Sequence, residues 1–282
     1  MNDEEEPVWF VTGCSTGFGR EIVRHVLDRG YRAVATSRNL KDIENLGNDA
    51  AERICRLKLD VTWPDEIAAA VAVAEERFGR IDVLVNNAGV GYFGAIEESD
   101  QNDVRRMFEV NFWGLANMTR AVLSGMRRRR AGHIVNLSSI GGVRGGPAVG
   151  YYNATKFAVE GFSEALAAEV MPLGLKVTLV EPSGFRTDWA GRSAREADTW
   201  IDDYAPTAGA RRLQLRSGSG KQPGDPARAA SAILAAVEAP EPPLHLLLGN
   251  FALEAGRHKV DALARDFEAW AAVSEAVDFP VK

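Results

Sequence analysis

The feature that most constrains the fold of this 282-residue chain is the regular alternation of short apolar runs with longer stretches of helical periodicity. Apolar runs of this length suit strands that are buried on both faces, and right-handed helical crossovers between them produce a parallel sheet. The sequence therefore predicts an α/β fold, a doubly wound parallel sheet of about seven strands with helices on both faces. Strands are predicted at 8–13, 32–37, 56–61, 81–89, 133–139, 176–182 and 244–249, and helices at 19–30, 63–79, 101–130, 151–171, 225–239 and from 251 onward.

The alternation continues without a linker as far as residue 183, which favours a single domain spanning 1–282. Residues 183–224 break the pattern, because their polarity is irregular and glycine and serine are scattered through them. A connection of this length is unusual in a doubly wound fold and is typical of a lid or a binding loop. We therefore predict that 183–224 covers a substrate.

Composition narrows the function. The formal net charge of −6 argues against a nucleic-acid surface, and no apolar run reaches membrane-spanning length. The acidic start, MNDEEEP, lacks the basic region of a signal peptide and reads as a disordered lead-in. Cys14 and Cys55 have neither metal-ligand spacing nor the number needed for a disulfide framework. We expect a cytoplasmic protein without a metal site.

A glycine-rich segment, TGCSTGFG (12–19), follows the first predicted strand and opens the first helix. In a doubly wound sheet, ligands bind beyond the carboxyl ends of the strands, and a helix N-terminus attracts phosphates. The spacing is G-x-x-x-G-x-G, and a plain turn would also account for it. Its position predicts a pyrophosphate site. Gly13 would permit the tight turn, Gly17 the close approach of the backbone to the phosphates, and Gly19 the close packing of the helix. Ser15 and Thr16 would add hydroxyl donors, and Phe18 completes the predicted set.

The end of the second predicted strand bears on the choice of nucleotide. An acidic residue there would accept hydrogen bonds from a ribose and repel a 2′-phosphate, but the sequence has Ser37 and Arg38. Arginine pairs well with phosphate, so the pattern favours NADP, with NAD possible. Asp42 and Glu44 lie further along and could still reach the ribose. A solvent-facing arginine is the plain alternative.

The stretch GYYNATKFAVEG (150–161) contains two adjacent tyrosines and one lysine. On a helix, Tyr152 and Lys156 are four residues apart and share a face, whereas Tyr151 pairs with Thr155. A neighbouring ammonium favours the phenolate, which could make Tyr152 a usable acid and base near neutral pH. Tyrosine and lysine at this spacing also occur by chance.

Six motifs occur in a fixed order: TGCSTGFG, LDV (59–61), NNAG (86–89), VNFWG (110–114), VNLSS (135–139) and YNATK (152–156). Together they resemble the short-chain dehydrogenase/reductase family over roughly residues 8 to 250. The resemblance implies a Rossmann-type sheet of seven parallel strands, a nicotinamide cofactor, and hydride transfer between an alcohol and a carbonyl. It also implies a homodimer or homotetramer formed through the long helices.

The resemblance also implies roles for individual residues. Tyr152 would be the general acid/base, Lys156 would lower its pKa and bind the nicotinamide ribose, Ser139 would hold the substrate oxygen, and Asn111 would position a water. At the sixth strand, Ser183 stands where the family usually has glycine. The cofactor-binding positions implied on the other motifs are Asp60, Val61, Asn87, Ala88, Gly89, Tyr152, Lys156, Pro182, Gly184 and Thr187.

The substrate remains open at this stage. TGCSTGFG also looks like the retinol- and hydroxysteroid-type members, which implies a bulky hydrophobic alcohol or ketone. Trp189, Trp200 and Tyr204 would favour such a substrate, whereas three arginines in the same segment could receive an anion: Arg186, Arg192 and Arg195. The alternatives to a reductase are a catalytically inactive NADP-binding sensor or scaffold, and an epimerase or dehydratase with a permanently bound nicotinamide.

Overall fold

The computed structural model describes residues 6–279 and is built around one seven-stranded parallel sheet. The strand order is β3-β2-β1-β4-β6-β7-β9, so the direction of winding reverses between β1 and β4. This confirms the predicted Rossmann-type α/β architecture. The strands of this sheet are β1 (Val8–Val11), β2 (Arg32–Ser37), β3 (Ile54–Lys58), β4 (Val83–Asn86), β6 (Gly132–Leu137), β7 (Leu175–Pro182) and β9 (His245–Leu248). The acidic lead-in 1–5 lies outside the described residues.

Helices occupy every stretch predicted to be helical, with one local difference, and Ile140–Val143 and Ala210–Ser217 are additional helices that the sequence did not predict. The predicted helix 101–130 is α3 and α4 joined by a π-helical turn, Glu109–Trp113, which carries Asn111. Such turns are rare and occur often at functional sites. The helices are α1 (Gly17–Asp28), α2 (Pro64–Phe78), α3 (Gln101–Phe108), α4 (Gly114–Arg129), α5 (Ile140–Val143), α6 (Gly150–Val170), α7 (Ala210–Ser217), α8 (Pro226–Glu238) and α9 (Asn250–Glu275).

Two apolar layers cover the sheet, and β1 shows how the sequence builds them. Trp9 and Val11 enter the layer beneath α1 and α8, whereas Val8 and Phe10 enter the layer beneath α2, α4 and α6. Successive side chains of a strand point to opposite faces, so an uninterrupted apolar run fills both layers at once. The site at the carboxyl edge of the sheet therefore stands on a rigid support.

The segment 183–224 is more regular than its sequence predicts. It contains β8 (Ala194–Glu196), which pairs in parallel with the three-residue strand β5 (Gly91–Phe93), and it contains α7. Buried Arg212 on α7 binds Glu98 and Glu196, and hydrogen-bonds the carbonyl of Ala197 at 2.7 Å. These contacts attach the segment to the body of the protein.

Among residues 6–279, no helix is both long enough and apolar enough to cross a lipid bilayer.

Candidate active site

The glycine-rich segment and the loop after β4 meet at the point where the winding of the sheet reverses. The amide of Asn87 donates hydrogen bonds to the carbonyls of Thr12 and Gly13, at 2.8 and 2.9 Å. Gly13 has a φ of 71°, and a methyl group there would lie 2.9 Å from the Cα of Ala88. A methyl group on Gly19 would lie 2.5 Å from the Asn87 amide nitrogen. Side chains at either glycine would therefore separate the two loops.

The first turn of α1 is open to an anion. Thr16 occupies the N-cap position without bonding the first turn through its side chain, which leaves N–H groups at the positive end of the helix dipole. A methyl group on Gly17 would lie 3.2 Å from Thr187, so the loop after β7 faces this turn. The ring of Phe18 packs edge-on against that of Phe185, with centroids 5.1 Å apart. This cradle fits the pyrophosphate of a dinucleotide.

The residues after β2 differ in exposure. Ser37 is buried, and its hydroxyl accepts a 3.4 Å hydrogen bond from the Asn39 N–H. Arg38 is exposed at the rim of the crevice. Arg20, which the motif analysis missed, reaches the same rim, where it bonds the carbonyls of Ser15 at 3.5 Å and Asp42 at 3.0 Å. Its position directly after the glycine-rich segment is the signal that could have identified it.

Asp60 and Val61 follow β3 and are held by local contacts. The Asp60 carboxylate accepts hydrogen bonds from the N–H and hydroxyl of Thr62, at 3.0 and 2.8 Å, which leaves its second oxygen available. The side chain of Val61 is buried against Gly114 of α4. Val61 can therefore border a ligand mainly through its backbone.

Asn111 connects the π-helical turn to the loop after β4. Its carbonyl oxygen accepts from the Val90 N–H at 2.8 Å, and its amide donates to the Val90 carbonyl at 3.0 Å. The amide also contacts the Thr155 hydroxyl at 3.2 Å. A methyl group on Gly89 would lie 3.4 Å from the Asn111 oxygen and 4.0 Å from Lys156 Nζ. Three predicted positions are thus brought together.

Ser139 and Tyr152 share the centre of the crevice. Ser139 caps α5, where its hydroxyl accepts a 3.0 Å hydrogen bond from the Gly141 N–H. A methyl group on Gly141 would lie 3.3 Å from the Ser139 hydroxyl and 3.2 Å from the Tyr152 ring, so the two side chains border the same space. Burial raises the pKa of Tyr152 to about 12, and the neighbouring Ser139 hydroxyl opposes that rise. The sequence argument expected a lowered pKa, because it counted the nearby cation but not the removal of the phenol from water.

Lys156 lies on the same side of α6 as Tyr152, and its Nζ is 5.9 Å from the centre of the tyrosine ring. It is fully buried and donates a 2.6 Å hydrogen bond to the Leu137 carbonyl. Burial lowers the pKa of Lys156 to about 8, while the charge of Glu160 acts to raise it. Tyr151 instead points toward Gln101, whose amide lies 3.5 Å from its hydroxyl.

The loop after β7 accommodates the departure from the family motif. Ser183 donates its N–H to the Leu248 carbonyl at 3.0 Å, and its side chain faces Gly249, where a Cβ would clash with it. Pro182 ends β7, and the Gly184 carbonyl accepts from Gly224 at 3.1 Å. The serine is therefore tolerated because a glycine lies opposite it.

Of the three aromatic residues singled out in 183–224, only Trp189 reaches Tyr152, with ring centroids 4.9 Å apart. Trp200 lies over the guanidinium of Arg212, and the Tyr204 hydroxyl bonds Glu97 at 2.7 Å. The three arginines considered as anion receptors already have partners within the protein. Arg186 donates to the Gln222 carbonyl, Arg192 pairs with Asp188, and Arg195 pairs with Asp103.

Comparisons with known proteins identify the family to which the chain belongs. The family model described as short chain dehydrogenase matches residues 7–198. The chain belongs to that family. It is 39% identical over 270 residues to Oxidoreductase BOA17 of Botryotinia fuckeliana, an alignment that covers 95% of this chain and 98% of that protein. A crystal structure of a short-chain dehydrogenase from Streptomyces avermitilis superposes with a TM-score of 0.91 at 40% identity, covering 98% of this chain and 100% of the other.

Other relatives carry more specific names. A 3-ketodihydrosphingosine reductase of Bacteroides thetaiotaomicron is 39% identical over 240 residues, covering 85% of this chain and 86% of that protein. Human retinol dehydrogenase 8 is 37% identical over 189 residues, covering 64% and 60%. The structure of ElxO with NADP bound superposes with a TM-score of 0.73 at 26% identity, covering 88% and 99%. The resemblance to retinol-type members is thereby confirmed.

Proposed function

We propose that this protein is an NADP(H)-dependent oxidoreductase that interconverts a hydrophobic alcohol and its ketone, with Tyr152 as general acid/base. The observation that carries the proposal is the convergence of Ser139, Tyr152 and Lys156 at the carboxyl edge of the sheet, beside the glycine-rich cradle. The proposal takes 1–282 as one domain in which 183–224 covers the substrate.

The cofactor would lie between the glycine-rich cradle and the loop after β7. The first turn of α1 would bind its pyrophosphate, and exposed Arg38 supports a preference for a 2′-phosphate, with NAD as the weaker alternative. Structural neighbours solved with NADP and with NADH support a nicotinamide dinucleotide at this place, so the preference for NADP rests on Arg38. The bound nicotinamide supplies or accepts the hydride.

The protein's own groups handle the oxygen and its proton. In ketone reduction, Tyr152 donates a proton to the substrate oxygen, and Ser139 holds that oxygen beside the phenol. In alcohol oxidation, Tyr152 accepts the proton, and the charge of Lys156 favours the phenolate. Asn111 holds the loop around Val90 and Gly89, close to the Lys156 ammonium. Pre-ordered groups of this kind act without reorganising during the reaction.

A hydrophobic substrate is supported by the surroundings of Tyr152. The Trp189 ring lies tilted against the Tyr152 ring, with centroids 4.9 Å apart, and Phe93 packs edge-on against Trp189 at 5.4 Å. Aromatic walls exclude water and favour apolar ligands. Two relatives are named for 3-ketodihydrosphingosine and for retinol, which is in keeping with this wall. Association into a homodimer or homotetramer through the long helices is supported by two exposed aromatic residues, Trp113 at the end of the π-helical turn and Phe157 on α6.

The test uses purified protein, NADPH or NADH, and a panel of ketones and alcohols of increasing chain length. We expect NADPH oxidation with hydrophobic ketones. Tyr152→Phe should lower kcat by ~10²–10⁴-fold while leaving the Kd for NADPH nearly unchanged. Tyr151→Phe is the matched control and should alter neither quantity. Equal losses in the two variants would contradict the assignment, and NADPH binding without turnover of any ketone would favour a sensor.

A further inference from the structure

A second cluster of ionisable groups lies behind the proposed catalytic residues. Glu160 is one helical turn beyond Lys156 on α6, and it is buried. Its carboxyl group bonds the hydroxyl of Ser138, the residue that precedes Ser139. Glu160 therefore contacts the backbone neighbour of one proposed catalytic residue and shares a helix face with another.

Two further residues complete the cluster. Glu181 of β7 is 1% exposed, and one of its carboxylate oxygens lies within 4.8 Å of a carboxylate oxygen of Glu160. The Nδ1 atom of His245, on β9, lies 2.8 Å from Glu181 Oε1 and 3.8 Å from Glu160 Oε2. The other oxygen of Glu181 is buried, and no described residue forms a hydrogen bond with it. His245 is about half exposed, so it connects the pair to water.

Two ionised carboxylates that are buried this close together repel each other, which favours the uptake of one proton by the pair. Burial and the neighbouring charge of Glu181 raise the pKa of Glu160 to about 7, while Ser138 and His245 act in the opposite direction. The titratable and charged groups that face Glu160 in the described structure are Glu181, His245 and, on its own helix, Lys156; Glu164 reaches the cluster only through His245, at 3.9 Å.

We propose that Glu160 and Glu181 share one proton near neutral pH, and that Glu160 is a positioning residue that sets the charge of Lys156 and holds Ser138. This inference rests on the proposed function. When Glu160 is ionised, its negative charge keeps Lys156 protonated, and the ammonium in turn favours the phenolate of Tyr152. When Glu160 takes up a proton from water beside His245, it no longer stabilises the Lys156 ammonium, and the phenolate is less favoured.

The proposal predicts opposite effects for two isosteric substitutions. Glu160→Gln removes the negative charge, so Lys156 loses its proton at lower pH and the phenolate is less favoured. In the pH profile of kcat/KM for alcohol oxidation, the rising limb should move to higher pH by about one unit. Glu181→Gln removes the like charge, so Glu160 stays ionised to lower pH. The same limb should move down by a comparable amount.

Glu164→Gln is the matched control, because Glu164 lies one turn further along the same helix and is exposed. It should leave the profile unchanged. A purely structural role for the cluster would lower activity in both test variants without shifting the limb in opposite directions. Shifts in the same direction, or no shift, would overturn the proposal.

A second measurement does not depend on activity. Infrared titration of the folded wild-type protein should show the carbonyl stretch of a buried protonated acid, disappearing as the pH rises through about 7. The band should be absent in Glu160→Gln and should disappear at lower pH in Glu181→Gln. Absence of the band in the wild type overturns the shared proton even where turnover is normal. Its presence without any turnover would contradict only the proposed function.

The same three side chains could also ligate a divalent cation, since their ligand atoms lie within 4.8 Å of one another. Titration with Zn²⁺ and Mn²⁺, and treatment with EDTA, distinguishes a metal site from a shared proton. We expect no one-to-one binding and no change on chelation. Stoichiometric binding that requires Glu160, Glu181 and His245 would overturn the shared proton in favour of a metal site.

Discussion

The centroids of the Trp189 indole ring and the Tyr152 phenol ring are 4.9 Å apart, and the two ring planes are tilted by 56° to each other. Trp189 belongs to the segment 183–224, whereas Tyr152 belongs to α6 in the rigid body of the protein. The segment therefore contributes one wall of the space in which a substrate would meet the phenol. Under the proposed function, the identity of that wall would determine which substrates fit.

We expect Trp189→Ala to enlarge the substrate space above Tyr152. The ratio of kcat/KM for a branched or long-chain ketone to that for a small ketone should rise by about tenfold, because changes in a hydrophobic pocket typically shift selectivity by this order. Steady-state kinetics on a graded series of ketones measures the ratio. Trp200→Ala is the control within the same segment, since Trp200 packs on Arg212 instead. An identical shift in both variants would contradict the assignment of Trp189 as a wall.

Arg38→Asp should move the cofactor preference from NADPH toward NADH. The substitution replaces an exposed cation at the end of β2 by a carboxylate that repels a 2′-phosphate and can bond a ribose hydroxyl. The ratio of kcat/KM for the two cofactors should change by at least about tenfold, which corresponds to ~1.4 kcal/mol. Arg228→Asp makes the same change of charge at an exposed position of α8 and should leave the ratio unaltered. An unchanged ratio in Arg38→Asp would remove the basis for an NADP preference.

The glycine-rich segment and the Tyr152–Lys156 pair could be predicted because local rules govern them. Helix periodicity places the two side chains on one face, and strand–helix alternation places the segment at the carboxyl edge of the sheet. The structure brings Gly13 and Asn87 into contact as these rules imply. Positions set by chain topology were therefore accessible from sequence.

The parts that sequence reasoning missed depend on tertiary contacts. Helix α7 was not predicted because its buried face is formed by Arg212 and Arg216, which pair with acidic groups, and hydrophobic periodicity cannot detect such a face. The direction of the Tyr152 pKa shift was wrong because the sequence gives neighbours along a helix but not burial. The cluster of Glu160, Glu181 and His245 joins a helix and two strands that are distant in sequence.

Arg212→Met should loosen the segment 183–224. Arg212 and Glu98 are both buried and form an ion pair, and Arg212 also binds the Ala197 carbonyl. Removing one member of a buried pair leaves the other charge uncompensated, so the free energy of unfolding should fall by about 3–5 kcal/mol. Urea denaturation measures this loss, and limited proteolysis should show faster cleavage within 197–217. Arg211→Met is the control, because the Arg211 guanidinium hydrogen-bonds Gln214 one turn along the same helix and pairs with no acid among the described residues. It should change the free energy of unfolding by less than about 1 kcal/mol.

His133 should make the protein sensitive to mild acid. Its Nε2 lies 2.9 Å from the Thr178 hydroxyl, which donates its own proton to the Pro243 carbonyl at 2.8 Å, so Nε2 must be the donor in this hydrogen bond. Burial lowers the pKa of His133 from 6.5 to about 4. Between these values the unfolded chain binds more protons than the folded protein, so stability falls as the pH falls.

The expected loss attributable to His133 is about 2 kcal/mol in the free energy of unfolding between pH 7 and pH 5. Urea denaturation of the wild type and of His133→Gln across this range measures it. The glutamine retains an N–H donor near Thr178 but cannot titrate, so its stability should depend less steeply on pH even where its stability at pH 7 is lower. His258→Gln, on exposed α9, should retain the wild-type slope. Parallel slopes for the wild type and His133→Gln would show that other groups cause the acid sensitivity.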